Sequence, residues 1–361
     1  MRIALTSQNL DPKIVVSGIA TVASTIIKLS KHETFLFEMG YRDDNNNGKG
    51  LKWFTKQVAF LVKFPYFLIK NKIQLVHLNV PFDAMGILRE YAALVIAKLL
   101  RKKVIVHIHG GKYLMLPTNS KFLDFFIQRI LNDCDKVIVL SEIENKVVEE
   151  NFKFKGAISL ENAVDTSYFN YNQKGNSNKK PQVLYLARIT ESKGIDDIIE
   201  AVKLLYPEVS FKFVICGAGP DLDHFVSSCE KLMGEDAIYK GVVAGDEKLK
   251  IIHESDIFLL PSRHSEGLPM SLLETMSCGL VPVVTDEASM KFVVQPEVNG
   301  LRVLKYNGQD IYHQMKNLMQ DNEKLKTLSF AASETIKLNY DTRNYVKKLE
   351  DIYSELIKEN V

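Results

Sequence analysis

Short apolar runs of strand length recur along the chain, separated by segments of helix length. The first set falls at 3–6, 34–38, 75–78, 104–109, 137–141 and 157–160, and the alternation resumes at Val183, Phe211, Ile257 and Val281. After Val183 the apolar positions Ile195, Ile198, Ile199 and Val202 repeat at helical spacing. Alternation of strand and helix patterns, twice over, predicts two doubly wound α/β domains. The polar stretch from Asn170 to Pro181, broken by Gly175 and Pro181, separates the two sets. A second polar stretch, Asp43-Asp44-Asn45-Asn46-Asn47-Gly48, predicts a mobile loop.

Composition narrows the possibilities. A chain of 361 residues with 46% hydrophobic residues is long and apolar enough for two cores. Its formal net charge of +2 argues against nucleic acid as a partner. Cys134, Cys216, Cys229 and Cys278 form no Cys-x-x-Cys pair and predict reduced thiols in a cytoplasmic protein. Met1 to Gln8 enters a strand pattern without the apolar core of a signal peptide, and no run of eighteen apolar residues predicts a membrane span.

Two segments carry the candidate chemistry. Ser265-Glu266-Gly267-Leu268-Pro269 leads from the strand 256–260 into a helix that Pro269 is suited to start, and Glu274 follows on that helix. Glu266 then lies in a loop and Glu274 on a helix, so the two carboxylates can grip different parts of one elongated ligand. Upstream, Arg188 and Lys193 stand in the polar loop between the run at Val183 and its helix, at the strand edge where open α/β sheets bind ligands. A guanidinium fork and an ammonium there suit phosphate oxygens.

Arg188-x4-Lys193, the Pro261 to Glu274 segment and Cys278-Gly279-Leu280-Val281-Pro282-Val283-Val284, in this order, resemble the group 1 (family 4) retaining glycosyltransferases of the GT-B fold, of the bacterial surface-polysaccharide type. Asn162-Ala163-Val164-Asp165 resembles that family's interdomain crossing, and Gly217-Ala218-Gly219-Pro220 its Gly-x-Gly-Pro turn. The resemblance implies two Rossmann-like domains facing a central cleft: an acceptor domain over 1–165, completed by a returning helix at about 343–361, and a nucleotide-sugar domain over 166–342. It implies transfer of a hexose or N-acetylhexosamine from a nucleotide diphosphate sugar, UDP-linked, to a glycan or lipid-linked acceptor in polysaccharide biosynthesis, with retention of configuration. Arg188 and Lys193 would neutralise the diphosphate. Glu266 with the backbone of Gly267, Leu268 and Pro269 would hold the sugar, and Glu274 the ribose. His109 would face the transferred sugar from the end of its strand. Gly18, in a turn resembling the family's glycine-rich loop, would permit close backbone approach to a phosphate or acceptor. Here Ser17-Gly18 replaces the usual glycine pair, and Thr285 to Met290 departs from the family pattern, so no contacts are carried over from that turn.

Neither a metal nor a resident cofactor is expected. Asp133-Cys134-Asp135 precedes its strand and Asp221-Leu222-Asp223 starts a helix, so both read as turn and capping carboxylates. His107 and His109 lack a third ligand at a recognisable spacing. A nicotinamide-dependent dehydrogenase fails on the missing Gly-x-Gly-x-x-Gly after the first strand. A nucleotide-sugar epimerase of the same fold, or a noncatalytic nucleotide-sugar-binding protein, is the alternative. Residues 51–70 mix lysines, aromatics and aliphatics around Trp53, which fits either peripheral contact with the inner face of the plasma membrane or a core helix that Pro65 breaks.

Overall fold

The computed structural model describes residues 1–11, 17–39, 51–115, 118–172, 180–263, 267–287 and 289–358, with backbone alone for 51–58, 112 and 115. The chain forms two compact units, one from Met1–Asn162 with Arg343–Val361 and one from Ala163–Thr342.

In the first unit, chain order runs β1 (Arg2–Ser7), α1 (Gly18–Leu29), β2 (Glu33–Glu38), α2 (Leu51–Lys70), β3 (Leu75–Val80), α3 (Ala84–Leu99), β4 (Lys103–Ile108), α4 (Lys112–Met115), α5 (Lys121–Asp133), β5 (Lys136–Val139), α6 (Glu142–Phe152) and β6 (Ile158–Ser159). The six strands pair in parallel in the order β2-β1-β3-β4-β5-β6. Val76, Leu78, Val104, Val106, Val137 and Val139 turn one face towards Phe64 and Leu68 of α2, Ile87 and Leu94 of α3, and Ile127 and Ile130 of α5. Each such side chain contributes about 1.5–3 kcal/mol by leaving water.

That burial explains a departure from expectation. Pro65 does not break α2, which runs through it from Leu51 to Lys70. A proline inside a helix removes one backbone hydrogen bond and costs about 3 kcal/mol. Phe60, Phe64 and Leu68, all buried, offset it.

The second unit runs β7 (Gln182–Leu186), α7 (Ile195–Leu205), β8 (Lys212–Cys216), α8 (Leu222–Met233), β9 (Ala237–Gly241), α9 (Gly245–Glu254), β10 (Ile257–Leu260), α10 (Met270–Ser277), β11 (Val281–Thr285), α11 (Met290–Val293), β12 (Leu301–Val303), α12 (Gly308–Gln320) and α13 (Asn322–Asn339). Its six parallel strands take the order β12-β11-β10-β7-β8-β9. β9 and β12, at the two edges, were not foreseen from the apolar runs. Cys216, Cys229 and Cys278 are buried free thiols and Cys134 is half-buried.

The last helix, α14 (Thr342–Lys358), belongs from Arg343 onward to the first unit. Tyr345, Leu349, Ile352, Tyr353 and Leu356 recur at helical spacing and are buried. Glu350 accepts hydrogen bonds from the Lys31 backbone N–H at 2.7 Å and Ser30 Oγ at 3.2 Å, just past the end of α1.

Candidate functional site at the carboxyl edges of the sheets

In the second unit, strand order reverses between β7 and β10, so the loops that follow these strands leave the same sheet edge side by side. Such a switch point is where open α/β sheets form a ligand crevice. The loop after β7 carries Arg188, exposed, and Lys193, half-buried, the latter in a single 3-10 turn over Glu191–Lys193. Close backbone packing holds this loop. The Ala187 N–H donates to Cys216 O at 3.2 Å and the Ile189 N–H to Ala218 O at 3.0 Å. A Cβ on Gly217, whose φ is +141°, would lie 1.9 Å from Ala187 O, and one on Gly219 1.9 Å from Ile189 O. Only glycine fits at either position.

Asp221 completes the turn. Its carboxylate accepts the Glu191 N–H at 2.8 Å and makes no capping bond to α8, contrary to the capping role expected for it. The reason is competition: Glu191 opens the 3-10 turn and its N–H has no partner within that turn. Asp135 behaves as a turn carboxylate, accepting the Val104 N–H at 2.8 Å and pairing with Lys98 at 2.9 Å.

After β10 come Gly267, half-buried Pro269 and buried Leu268, then α10. Met270 is the first helical residue and Pro269 is the N-cap, one position earlier than expected, with an extended ψ of 126°. Glu266 lies outside the described residues. Glu274, in the second turn of α10, is buried and pairs with Lys248 of α9 at 2.7 Å. The Lys248 ammonium also sits 5.2 Å from the centre of the Phe169 ring. Burial pushes the Glu274 carboxyl above the ordinary carboxylate range, and Lys248 opposes that shift. Sequence reasoning missed Lys248, because a pairing across 26 residues depends on how α9 lies beside α10.

In the first unit the order reverses between β1 and β3. Gly18 is the first residue of α1, which follows β1, with Ser17 as N-cap. His109, half-buried, follows β4. Asn79 Nδ2 donates to Thr6 O at 2.7 Å, which fixes its amide so that Oδ1 accepts from His109 Nε2–H at 2.7 Å. Desolvation lowers the His109 pKa to about 3. The ring is therefore neutral, with the proton on Nε2 and a lone pair on Nδ1. Beside it the His107 ring centre lies 4.1 Å away, and behind that His107 Nδ1 meets His77 Nε2 at 3.2 Å and His77 Nδ1 meets Tyr353 Oη at 2.6 Å. A cavity of about 10 Å³, roughly one water in size, is lined in part by Ser7, Gln8, Asn79 and Glu90.

Residues 167–335 match the family model described as glycosyl transferases group 1. An uncharacterized glycosyltransferase of Methanocaldococcus jannaschii is 24% identical over 281 residues, 73% of this chain and 71% of its own length. The N,N'-diacetylbacillosaminyl-diphospho-undecaprenol alpha-1,3-N-acetylgalactosaminyltransferase of Campylobacter jejuni is 29% identical over 183 residues, 51% of this chain and 47% of its own. Among solved structures, HepE of Anabaena in complex with UDP superposes with a TM-score of 0.76 at 14% identity, covering 98% of this chain and 100% of that one. At that identity the likeness concerns the fold: two parallel six-stranded sheets with helices, the GT-B architecture.

Proposed function

We propose that the chain is a retaining, metal-independent glycosyltransferase. It moves a hexose or N-acetylhexosamine from a UDP-sugar to a glycan or lipid-linked acceptor in polysaccharide biosynthesis. The observation that carries this reading is the pair of loops at the β7/β10 switch point, one bearing Arg188 and Lys193, the other Gly267 to Glu274. Support for UDP comes from the HepE complex, and for a lipid-linked acceptor from the diphospho-undecaprenol substrate in the Campylobacter enzyme's name.

In this mechanism the bond between the anomeric carbon and the β-phosphate oxygen breaks, and its electron pair stays on the diphosphate. Arg188 and Lys193 stabilise that growing charge more in the transition state than in the ground state, doing the work a divalent cation does elsewhere. The acceptor hydroxyl attacks from the face the phosphate leaves, forming the new C–O bond, and its proton passes to the departing phosphate. Glu266, Gly267, Leu268 and Pro269 position the sugar, and Glu274 takes the ribose hydroxyls. Because Lys248 already pairs with Glu274, the carboxylate is kept as an acceptor despite its burial. His109 offers Nδ1 to a hydroxyl of the transferred sugar, and Gly18 lets the backbone approach a phosphate or acceptor.

Peripheral membrane contact belongs to the same reading. No helix among the described residues is long and apolar enough to cross a membrane. Val62, Tyr66 and Ile69 nevertheless form an exposed apolar row on α2, with Lys63 and Lys70 beside it.

The test measures UDP release from UDP-sugars and the mass gained by an acceptor extract. Arg188→Ala and Glu266→Ala should each lower turnover on the order of a hundredfold, and turnover should survive a chelator. Folded variants that turn over like the wild type would overturn the assignment, and UDP-sugar conversion without acceptor mass gain would favour an epimerase.

A further inference from the structure

The carboxyl edge of the second sheet holds a third cation, Arg263, between β10 and α10. Its Nε donates to Asp197 Oδ2 at 3.1 Å and its Nη2 to Asp197 Oδ1 at 2.9 Å, a two-pronged pair in which both side chains are nearly buried, at 10% and 8% exposure. Nη1 donates to Glu191 Oε1 at 3.2 Å, and the guanidinium stacks 4.7 Å from the centre of the Tyr306 ring. The Arg263 backbone N–H donates to Ser192 O at 2.9 Å. Next to it, Gly194, with φ of +72°, packs so closely that a Cβ there would lie 2.1 Å from Pro261 O.

These contacts join two loops. Glu191 and Ser192 lie in the turn that contains Lys193, and Asp197 is in the first turn of α7, immediately after it. With Nε, Nη1 and Nη2 each donating to a carboxylate and the Tyr306 ring against it, the guanidinium is compensated where it stands. It is therefore poorly placed to be a phosphate ligand itself.

We propose that Arg263 is a positioning residue that holds the Arg188–Lys193 loop to the end of β10 through Asp197 and Glu191, and thereby sets the geometry for a diphosphate. This rests on the donor-site reading above. A lysine cannot replace it, because an ammonium lacks the fork that spans both Asp197 oxygens.

The experiment uses the full chain, with UDP and uridine as probes in calorimetric titrations. Arg263→Lys and Asp197→Asn should each weaken UDP binding about tenfold, leave uridine binding unchanged, and show no further loss when combined, since the two residues act through one interaction. Asp197→Asn is the decisive variant, because removing an anion near the site would otherwise favour UDP. It also stands in should Arg263→Lys fail to fold. Wild-type UDP affinity in folded Asp197→Asn would overturn the proposal, as would equal losses for UDP and uridine. Failure of the wild type to bind UDP would instead overturn the donor-site reading, and the proposal with it.

Discussion

His109 illustrates how much one hydrogen bond decides. Thr6 orients Asn79, Asn79 orients His109, and burial keeps the imidazole neutral with a pKa near 3, as it does for His77. A base whose folded pKa lies below its unfolded value near 6.5 binds its proton less readily when folded. Its stabilising contribution is present above pH 6.5 and is lost as pH falls towards about 3. Glu90 and Glu144, raised to about 7 by burial, act with the opposite sign, because ionising them as pH rises from 4.5 to 7 costs the folded state. Below pH 4.5 that opposing effect is flat. Between pH 4.5 and 3.5 the unfolding free energy of His109→Gln, compared with wild type, should therefore fall less steeply by about 1.4 kcal/mol per pH unit. Equal slopes in urea titrations would show that His109 is protonated in the folded protein.

At the scale of elements, the loop between β7 and α7 owes its shape to glycines on another strand-helix turn. Gly219→Ala would drive a methyl group into Ile189 O, and overpacking of this kind costs about 1–3 kcal/mol. The expected outcome is a lower midpoint in denaturant together with weaker UDP binding, and an unchanged midpoint would refute the close approach. The parallel sheets were legible in the sequence because strands buried on both faces read as apolar runs, as Val183 to Leu186 and Val281 to Val284 do. β9 escaped because Ala237-Ile238-Tyr239-Lys240-Gly241 is a half-exposed edge strand, and β12 because it spans three residues. Pro65 misled because local propensity says nothing of the core that Phe64 and Leu68 enter. Arg188 and Lys193 were visible as charges after a strand, and Glu274 as a carboxylate on the helix that Pro269 introduces. Their setting was not: Lys248 reaches Glu274 across 26 residues and Arg263 reaches Asp197 across 66, separations at which only tertiary packing decides the partner.

For the whole molecule, the proposed membrane contact is tested on the exposed row of α2, Val62, Tyr66 and Ile69, beside its lysines. Cosedimentation with vesicles containing anionic phosphatidylglycerol should fall severalfold for Val62→Ser/Tyr66→Ser/Ile69→Ser, and should fall for the wild type as salt rises. Equal binding of the triple variant would place α2 away from the membrane. The return of α14 has another consequence, for the order in which the protein is made. The first unit needs Tyr353 against His77 and Glu350 against Lys31, yet about 180 residues of the second unit are synthesised between its two parts. At about 5–20 residues per second, a growing chain carries a first sheet that still lacks α14, with His77 not yet met by Tyr353, for roughly ten to forty seconds. The second unit has all its strands before that wait ends, so a helix made after the second unit completes a sheet begun before it.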